Sequence, residues 1–275
     1  MLKHPDHDRR LVIIAPTFNH AATLAPVLEA VAALGHPLIA VDDGATDATA
    51  EVLHELSARL KSQLTILRHP TNQGKAAALR TGFAAARARG CTHAATIDTD
   101  GQHDPSDLGA LIAASVAYAR ALVVGVRGAQ ICGDGGPLAS RAGRAVSNVL
   151  VRLEAGVRTG DTQSGMRVYP LAADLERHVR ARRFGFETEI IARCGWGGTP
   201  VVDFPIRSIY AVPGGRVSHF CLVRDSLRAV AMHARLLALA PVRHPTLARA
   251  IVRVRGPEHA LLPAPSRGAS AFTRA

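Results

Sequence analysis

The stretch Thr96-Ile97-Asp98-Thr99-Asp100-Gly101-Gln102-His103-Asp104-Pro105 ends an apolar run, residues 92–97, on two carboxylates separated by one small residue. Alternate side chains of an extended backbone point the same way, so Asp98 and Asp100 can face one point. Two anionic groups there suit a hard divalent cation such as Mg²⁺ or Mn²⁺, which takes oxygen ligands and leaves positions open for phosphates. Gly101 lets the chain turn, Gln102 offers a further oxygen, and Pro105 suits the first turn of a following helix. A polar strand-to-helix turn with no ligand has the same composition, so the surrounding pattern must decide.

Upstream, residues 11–15, 38–41 and 64–67 are short apolar runs that read as buried strands. Each is followed by polar residues: Pro16-Thr17-Phe18-Asn19-His20, then Asp42-Asp43-Gly44, then Asn72-Gln73-Gly74-Lys75. Helical stretches separate them at 23–34, 45–60 and 75–89. Residues 93–97 form a fourth strand that delivers the paired aspartates, 107–118 a helix, and 122–125 a fifth strand. Alternating strands and helices over 11–125 specify an α/β fold with a mostly parallel sheet and helices on both faces. Ligands of such sheets bind beyond the carboxyl ends of the strands. All four polar clusters fall at those ends and therefore share one rim.

Downstream, residues 127–137 are glycine-rich and read either as a surface connection or as a lid with Arg127 at its base. A helix follows at 138–154. Then comes a dense polar cluster, Asp161-Thr162-Gln163-Ser164-Gly165-Met166-Arg167, leading into Val168-Tyr169. Phe184-Gly185-Phe186-Glu187-Thr188-Glu189 opens another helix, its glutamates suited to a helix start. A last strand is expected at 201–204, and Pro213–His219 reads as a second flexible, basic loop. From Leu222 the chain changes character. Val223, Leu227, Val230, Ala234 and Leu237 make one helical stripe, with Arg224, Arg228 and Arg235 on another flank. The region from Leu222 to the C-terminus holds nine arginines against Asp225 and Glu258, so it carries +7 of the total charge of +11. It reads either as a helix packed on the core with a basic tail or as a helix lying on an anionic bilayer.

At 275 residues and 48% apolar content the chain can bury a substantial core, and with only 4% aromatics its helices should pack through small residues. The positive balance fits anionic partners. Nucleic acid is the poorest fit, because stacking aromatics are nearly absent from the basic region. Cys91, Cys132, Cys194 and Cys221 are scattered, which argues against a zinc site or disulfide framework and for a reducing compartment. The polar N-terminus lacks the apolar segment of a secretory signal, and no run approaches the roughly 20 apolar residues of a spanning helix. The expected location is cytoplasmic or peripheral on the inner face of the plasma membrane. No G-x-G-x-x-G follows the first strand and no P-loop is present, which disfavours dinucleotide oxidoreductases and P-loop NTPases.

In order and spacing, the segments at residues 12–19, 41–47, 72–75 and 98–103 resemble family 2 glycosyltransferases of the GT-A fold, in particular the dolichyl-phosphate mannose synthase type. Asp161–Arg167 resembles a later element of that branch, with Met166 in place of an aromatic. The resemblance covers about residues 11–220. It implies an inverting, metal-dependent transfer from a UDP- or GDP-linked sugar to a lipid-linked or polyprenyl-phosphate acceptor. Pro16, Phe18, Val41 and Asp43 would hold the base and ribose. Asp98, Asp100 and Gln102 would hold Mg²⁺ or Mn²⁺ and the diphosphate, supported by Arg127 and by Arg216 and His219. His20, Lys75, Thr99 and Arg167 complete the donor site, and Asp100 acts in catalysis. The family often has Tyr at Phe18, an acid at His20 and Lys at His219, and some relatives append transmembrane helices; here those features differ.

A phosphate acceptor can attack unaided, whereas a hydroxyl needs a base, for which Asp161 and Glu187 are the candidates. The expected organisation is a polar segment at 1–10, the transferase domain at 11–220, an amphipathic basic helix at 221–242 and a basic tail at 243–275. Two other classes stay open at this point. A sugar-nucleotide pyrophosphorylase lacks support because its glycine-rich loop is missing. A non-catalytic sugar-nucleotide or lipid-binding protein at the membrane surface is the remaining alternative.

Overall fold

The computed structural model describes residues 9–127, 138–209 and 222–243. The glycine-rich segment after Arg127, the loop carrying Arg216 and His219, and the basic tail lie outside the described residues. Among the described residues seven strands form one mixed sheet: β1 (Leu11–Thr17), β2 (Leu38–Asp42), β3 (Leu64–Arg68), β4 (His93–Thr96), β5 (Leu122–Arg127), β6 (Arg167–Pro170) and β7 (Val201–Ile206). Their spatial order is β3-β2-β1-β4-β6-β5-β7. All run one way except β6, which pairs antiparallel with both β4 and β5.

Strand β6 departs from the expected alternation. All of its residues are buried, including Arg167, so it shows no inside-outside pattern. The chain reaches it from β5 through the helix Leu138–Ala155 and the Asp161–Gly165 loop, and it returns between β4 and β5 against the direction of both.

The helices are α1 (Ala21–Ala32), α2 (Thr49–Leu60), α3 (Lys75–Ala88), α4 (Pro105–Ser115), α5 (Leu138–Ala155), α6 (Gly185–Gly197) and α7 (Leu222–Arg243). β1 is buried along its length, and its period-2 side chains divide between two cores. Leu11, Ile13 and Ala15 meet α1, α2 and α4, while Val12 and Ile14 meet α3 and α6. Burial of each such Leu or Ile side chain contributes about 1.5–3 kcal/mol. The small residues of α3 have a steric reason: a Cβ on Gly82 would meet Ile14 Cγ2 at 2.5 Å. α4 starts as its sequence implies, with Pro105 in its first turn and the Asp104 carboxylate accepting from the Ser106 amide. Cys91 and Cys194 are free thiols.

α7 docks on α5 and α6 through Met232 and Leu236, which meet Ala155 and Ala192. Its buried His233 places Nδ1 2.7 Å from Glu154 Oε1. Arg235 bonds Glu189 of α6, while Arg224 and Arg228 are exposed. Leu227, Val230, Ala234 and Leu237 of the expected apolar stripe face outward. Among the described residues no helix is long and apolar enough to cross a membrane.

Candidate active site

The strand order reverses at β1: β2 and β3 extend to one side and β4 to the other. Such a switch point opens a crevice between the carboxyl ends of β1 and β4. The loops that leave β1, β2 and β4 are stitched together there. Thr99 Oγ1 donates to Pro16 O at 3.3 Å and lies 2.8 Å from His20 Nδ1, and Thr23 Oγ1 donates to Thr99 O at 2.7 Å. Asn19 adopts the left-handed conformation (φ 53°), and its Oδ1 accepts from the Thr46 amide at 2.8 Å. Phe18 lies half-buried on this rim. Pro16 and Val41 are buried within the sheet.

Asp43 is buried and shapes the next loop. Its Oδ1 accepts from Gln73 N at 2.9 Å, its Oδ2 accepts from Gly74 N at 2.7 Å, and His69 Nδ1 lies 2.7 Å from Oδ1. His69 Nε2 in turn lies 2.9 Å from Thr81 Oγ1 on α3. The carboxylate thus sets the start of α3 and, with it, Lys75.

Lys75 ties the site together. Its Nζ is 2.5 Å from Asp98 Oδ1 and 2.6 Å from Glu187 Oε1, joining the start of α3, the end of β4 and the first turn of α6. Burial would lower its pKa, but Asp98 and then Glu187 outweigh that and raise it. For Asp98, burial works upward and is overcome by Lys75 and by His103, leaving the carboxyl below its usual range. His103 is buried with Nε2 3.9 Å from Asp98 Oδ2, and burial lowers its pKa against the pull of Asp98 and Asp100. Asp100 points to different partners, accepting from Gln102 N at 3.0 Å and Gln102 Nε2 at 2.9 Å.

The polar cluster after α5 closes the other side. Asp161 is fully buried and receives Arg127 Nε at 2.6 Å and Nη2 at 2.9 Å, with Arg144 of α5 3.7 Å away. Burial would raise its pKa, but the Arg127 bonds and charge, followed by Arg144, lower it. Arg167, expected at the donor, is buried behind the rim. It donates to the carbonyls of Ser164 at 2.7 Å, Glu187 at 2.7 Å and Thr162 at 2.9 Å. Its guanidinium organises the loop and does not reach into the crevice. Three of its N–H groups thus serve main-chain carbonyls of this loop and of α6.

The base candidates Asp161 and Glu187 are both drawn to the site, but each is ion-paired to a cation. His69 and His103 are the residues missed in the assignment of roles. Both lie at strand-end loops, where the alternating pattern places the chemistry, so their positions were legible. Their partners were not, because those come from distant segments.

The donor set Asp98, Asp100 and Gln102 consists of hard oxygens, as Mg²⁺ or Mn²⁺ requires. Among the described residues no group of three or more His, Cys, Asp or Glu side chains gathers as a metal site. That is compatible with Mg²⁺, which is commonly held by one or two carboxylates plus substrate phosphates. Asp100 is half-buried at the rim, and Asp98 is engaged by Lys75 through Oδ1, with His103 Nε2 3.9 Å from its Oδ2. Buried polar atoms also collect here: His103 Nδ1, Ser208 Oγ and Glu187 Oε2 have no hydrogen-bond partner among the described residues. Such atoms cost about 1–3 kcal/mol each, and their clustering marks a site shaped for something besides stability.

The chain belongs to glycosyl transferase family 2, whose model matches residues 12–173. It is similar to the UDP-N-acetylglucosamine–dolichyl-phosphate N-acetylglucosaminyltransferase of Methanococcus voltae, 26% identical over 218 residues, which span 74% of this chain and 87% of the relative. The polyprenol monophosphomannose synthase of Mycolicibacterium smegmatis is 27% identical over 209 residues, covering 72% of this chain and 77% of the relative. Among solved structures, residues 1–349 of S. aureus TarS superpose with a TM-score of 0.58 at 15% identity, covering 87% of this chain and 68% of that one. The protein is therefore a glycosyltransferase with the GT-A fold.

Proposed function

We propose that the protein transfers a sugar, with inversion, from a UDP- or GDP-linked donor to a polyprenyl-phosphate-type lipid at the cytoplasmic membrane surface. The observation that carries this reading is the state of the two candidate bases. Asp161 is held by Arg127 and Glu187 by Lys75. A carboxylate clamped by a cation is a poor proton acceptor, and for Asp161 the Arg127 pairing also holds the carboxyl below its usual range. A hydroxyl acceptor would therefore find no ready base, whereas a phosphate monoester is already anionic. The names of the M. voltae and M. smegmatis relatives point the same way, and TarS with UDP-GlcNAc, TM-score 0.56, supports a nucleotide-sugar donor.

In this reading a phosphate oxygen attacks the anomeric carbon from the face opposite the departing group. The new phosphate–sugar bond forms as the sugar–diphosphate bond breaks, and the nucleoside diphosphate leaves with the electron pair. Asp100, with Asp98 and Gln102, would hold Mg²⁺ or Mn²⁺, which supplies neutralising charge for the diphosphate. Lys75 keeps Asp98 ionised and aligned, and the cationic side of the crevice favours charge that develops in the transition state.

The test is to supply UDP- and GDP-sugars with Mn²⁺, offering short-chain polyprenyl phosphate and the corresponding polyprenol in parallel. A sugar–phosphate–lipid product formed only from the phosphate, and lost in Asp100→Ala, is expected. Transfer to the polyprenol at an equal rate would contradict the base-free reading.

A further inference from the structure

We infer that Arg207 is a positioning residue for the metal-binding turn, acting through the segment 207–209 that follows β7. This rests on the reading of Asp98, Asp100 and Gln102 as the residues that hold the metal. β7 ends the sheet order and runs parallel to β5, so it delivers the residues after it to the rim that carries Arg127. There the chain reaches back to the turn after β4. Ile209 N donates to Gln102 O at 2.9 Å, and Ser208 pairs antiparallel with His103. The main chain of Gln102 is thereby held twice: its amide donates to Asp100 Oδ1 at 3.0 Å, and its carbonyl accepts from this strap.

Arg207 fastens the strap to α4. Its main-chain N–H donates to Asp107 Oδ2 at 2.6 Å and its Nε to Asp107 Oδ1 at 2.9 Å, while Nη2 lies 2.9 Å from Asp104 Oδ2 and donates to Ser106 Oγ. Asp107 is buried in the first turn of α4 and Asp104 caps that helix, so both carboxylates are fixed by the element that starts directly after the turn.

The bridge needs such a clamp. It is one residue pair long, and His103 Nδ1 and Ser208 Oγ, one from each side of it, are buried without a hydrogen-bond partner among the described residues. Buried polar atoms left unpaired work against the contact that buries them. A guanidinium bonded to carboxylates supplies charge-assisted bonds and fixes direction as well as distance. Lys75 holds the turn from the Asp98 side, and Arg207 holds it from the Gln102 side. Contacts that orient a metal's ligands are typically worth about 10–100-fold in metal affinity.

The experiment measures Mn²⁺ uptake by the full chain, as loss of the free ion's paramagnetic resonance signal, with UDP or GDP in excess. Wild type is compared with Arg207→Ala, Arg207→Lys and Asp107→Asn. Arg59→Ala, which removes an exposed arginine of α2 paired with Glu29, is the charge control. All are read at a temperature where melting curves show them folded. Half-saturating Mn²⁺ should rise about tenfold in Arg207→Ala, less in Arg207→Lys, and in the same direction in Asp107→Asn, with Arg59→Ala like wild type. Exchange of the Ile209 amide, which reports the strap itself, should quicken in Arg207→Ala before any ligand is added. Unchanged Mn²⁺ uptake in Arg207→Ala, with only the melting temperature lowered, would overturn the inference and leave Arg207 a structural contact. An equal loss of nucleotide binding measured without metal would also overturn it, because the strap would then act on the nucleotide. The two readings fail separately. No Mn²⁺ uptake by wild type with either nucleotide removes the metal reading and this inference with it, whereas wild-type uptake that Arg207→Ala leaves unaltered removes this inference alone.

Discussion

Asp98 lies directly against the main chain of Gly165: a Cβ on that glycine would meet Asp98 Oδ2 at 2.2 Å and Cγ at 2.6 Å. The polar loop before β6 and the paired aspartates after β4 are thus one fitted unit. Gly165→Ala must displace the carboxylate from Lys75 or bend the loop. Overpacking of this kind costs about 1–3 kcal/mol of stability. A misplaced group costs more in rate, so kcat/KM should fall about 100-fold while the protein stays folded. Steady-state kinetics beside a melting curve checks this; near wild-type activity would show that Asp98 tolerates the shift.

Lys75→Met should leave Asp98 and buried Glu187 without their common cation. Breaking a buried ion pair typically costs about 3–5 kcal/mol. Adding Glu187→Gln removes one uncompensated charge and should recover part of the loss. Denaturant unfolding of both single variants and the double variant measures the coupling, and strict additivity would mean that the Lys75–Glu187 contact carries no energy.

Arg167→Lys should behave as a structural lesion. Lysine lacks the planar fork, so the three carbonyls that the guanidinium now serves cannot all be satisfied. A loss of about 1–3 kcal/mol is expected. Nucleotide affinity of the folded fraction should change less than threefold. A large affinity loss with unchanged stability would instead place Arg167 in direct contact with the donor.

Acid stability should report on Asp161. Its carboxyl is held below the usual range in the folded state, so its contribution is full above the unfolded pKa of about 3.9 and is lost as pH falls through the lower folded value. Asp161→Asn should lower the melting temperature at neutral pH and flatten its decline below about pH 4. Unfolding curves from pH 7 to 3 test the sign; an equally steep decline in the variant would remove Asp161 as a source of acid sensitivity.

Much of the sheet was legible because its strands are short apolar runs that end in polar clusters. β1 is the clearest case, with Leu11, Ile13 and Ala15 serving one core and Val12 and Ile14 the other. β6 escaped because a buried arginine heads a four-residue strand, and Arg167 looks like a rim residue to any reading that cannot see its carbonyl partners. Within the site, sequence pattern located Asp98, Asp100 and Lys75 on one rim but could not pair them. The Lys75–Glu187 contact spans more than a hundred residues, and only the return of α6 to that rim creates it.

The most direct measurement is the melting temperature of wild type and Asp100→Ala with UDP or GDP, each with and without Mn²⁺. Ligand bound to the folded state alone stabilises by mass action, by about 2.7 kcal/mol at a hundredfold excess over Kd. One nucleotide should raise the wild-type melting temperature only when Mn²⁺ is present, and that metal-dependent part should vanish in Asp100→Ala. No shift with either nucleotide in folded wild-type protein, or an equal shift without metal and in Asp100→Ala, would contradict a metal-assisted nucleotide-sugar site at this rim.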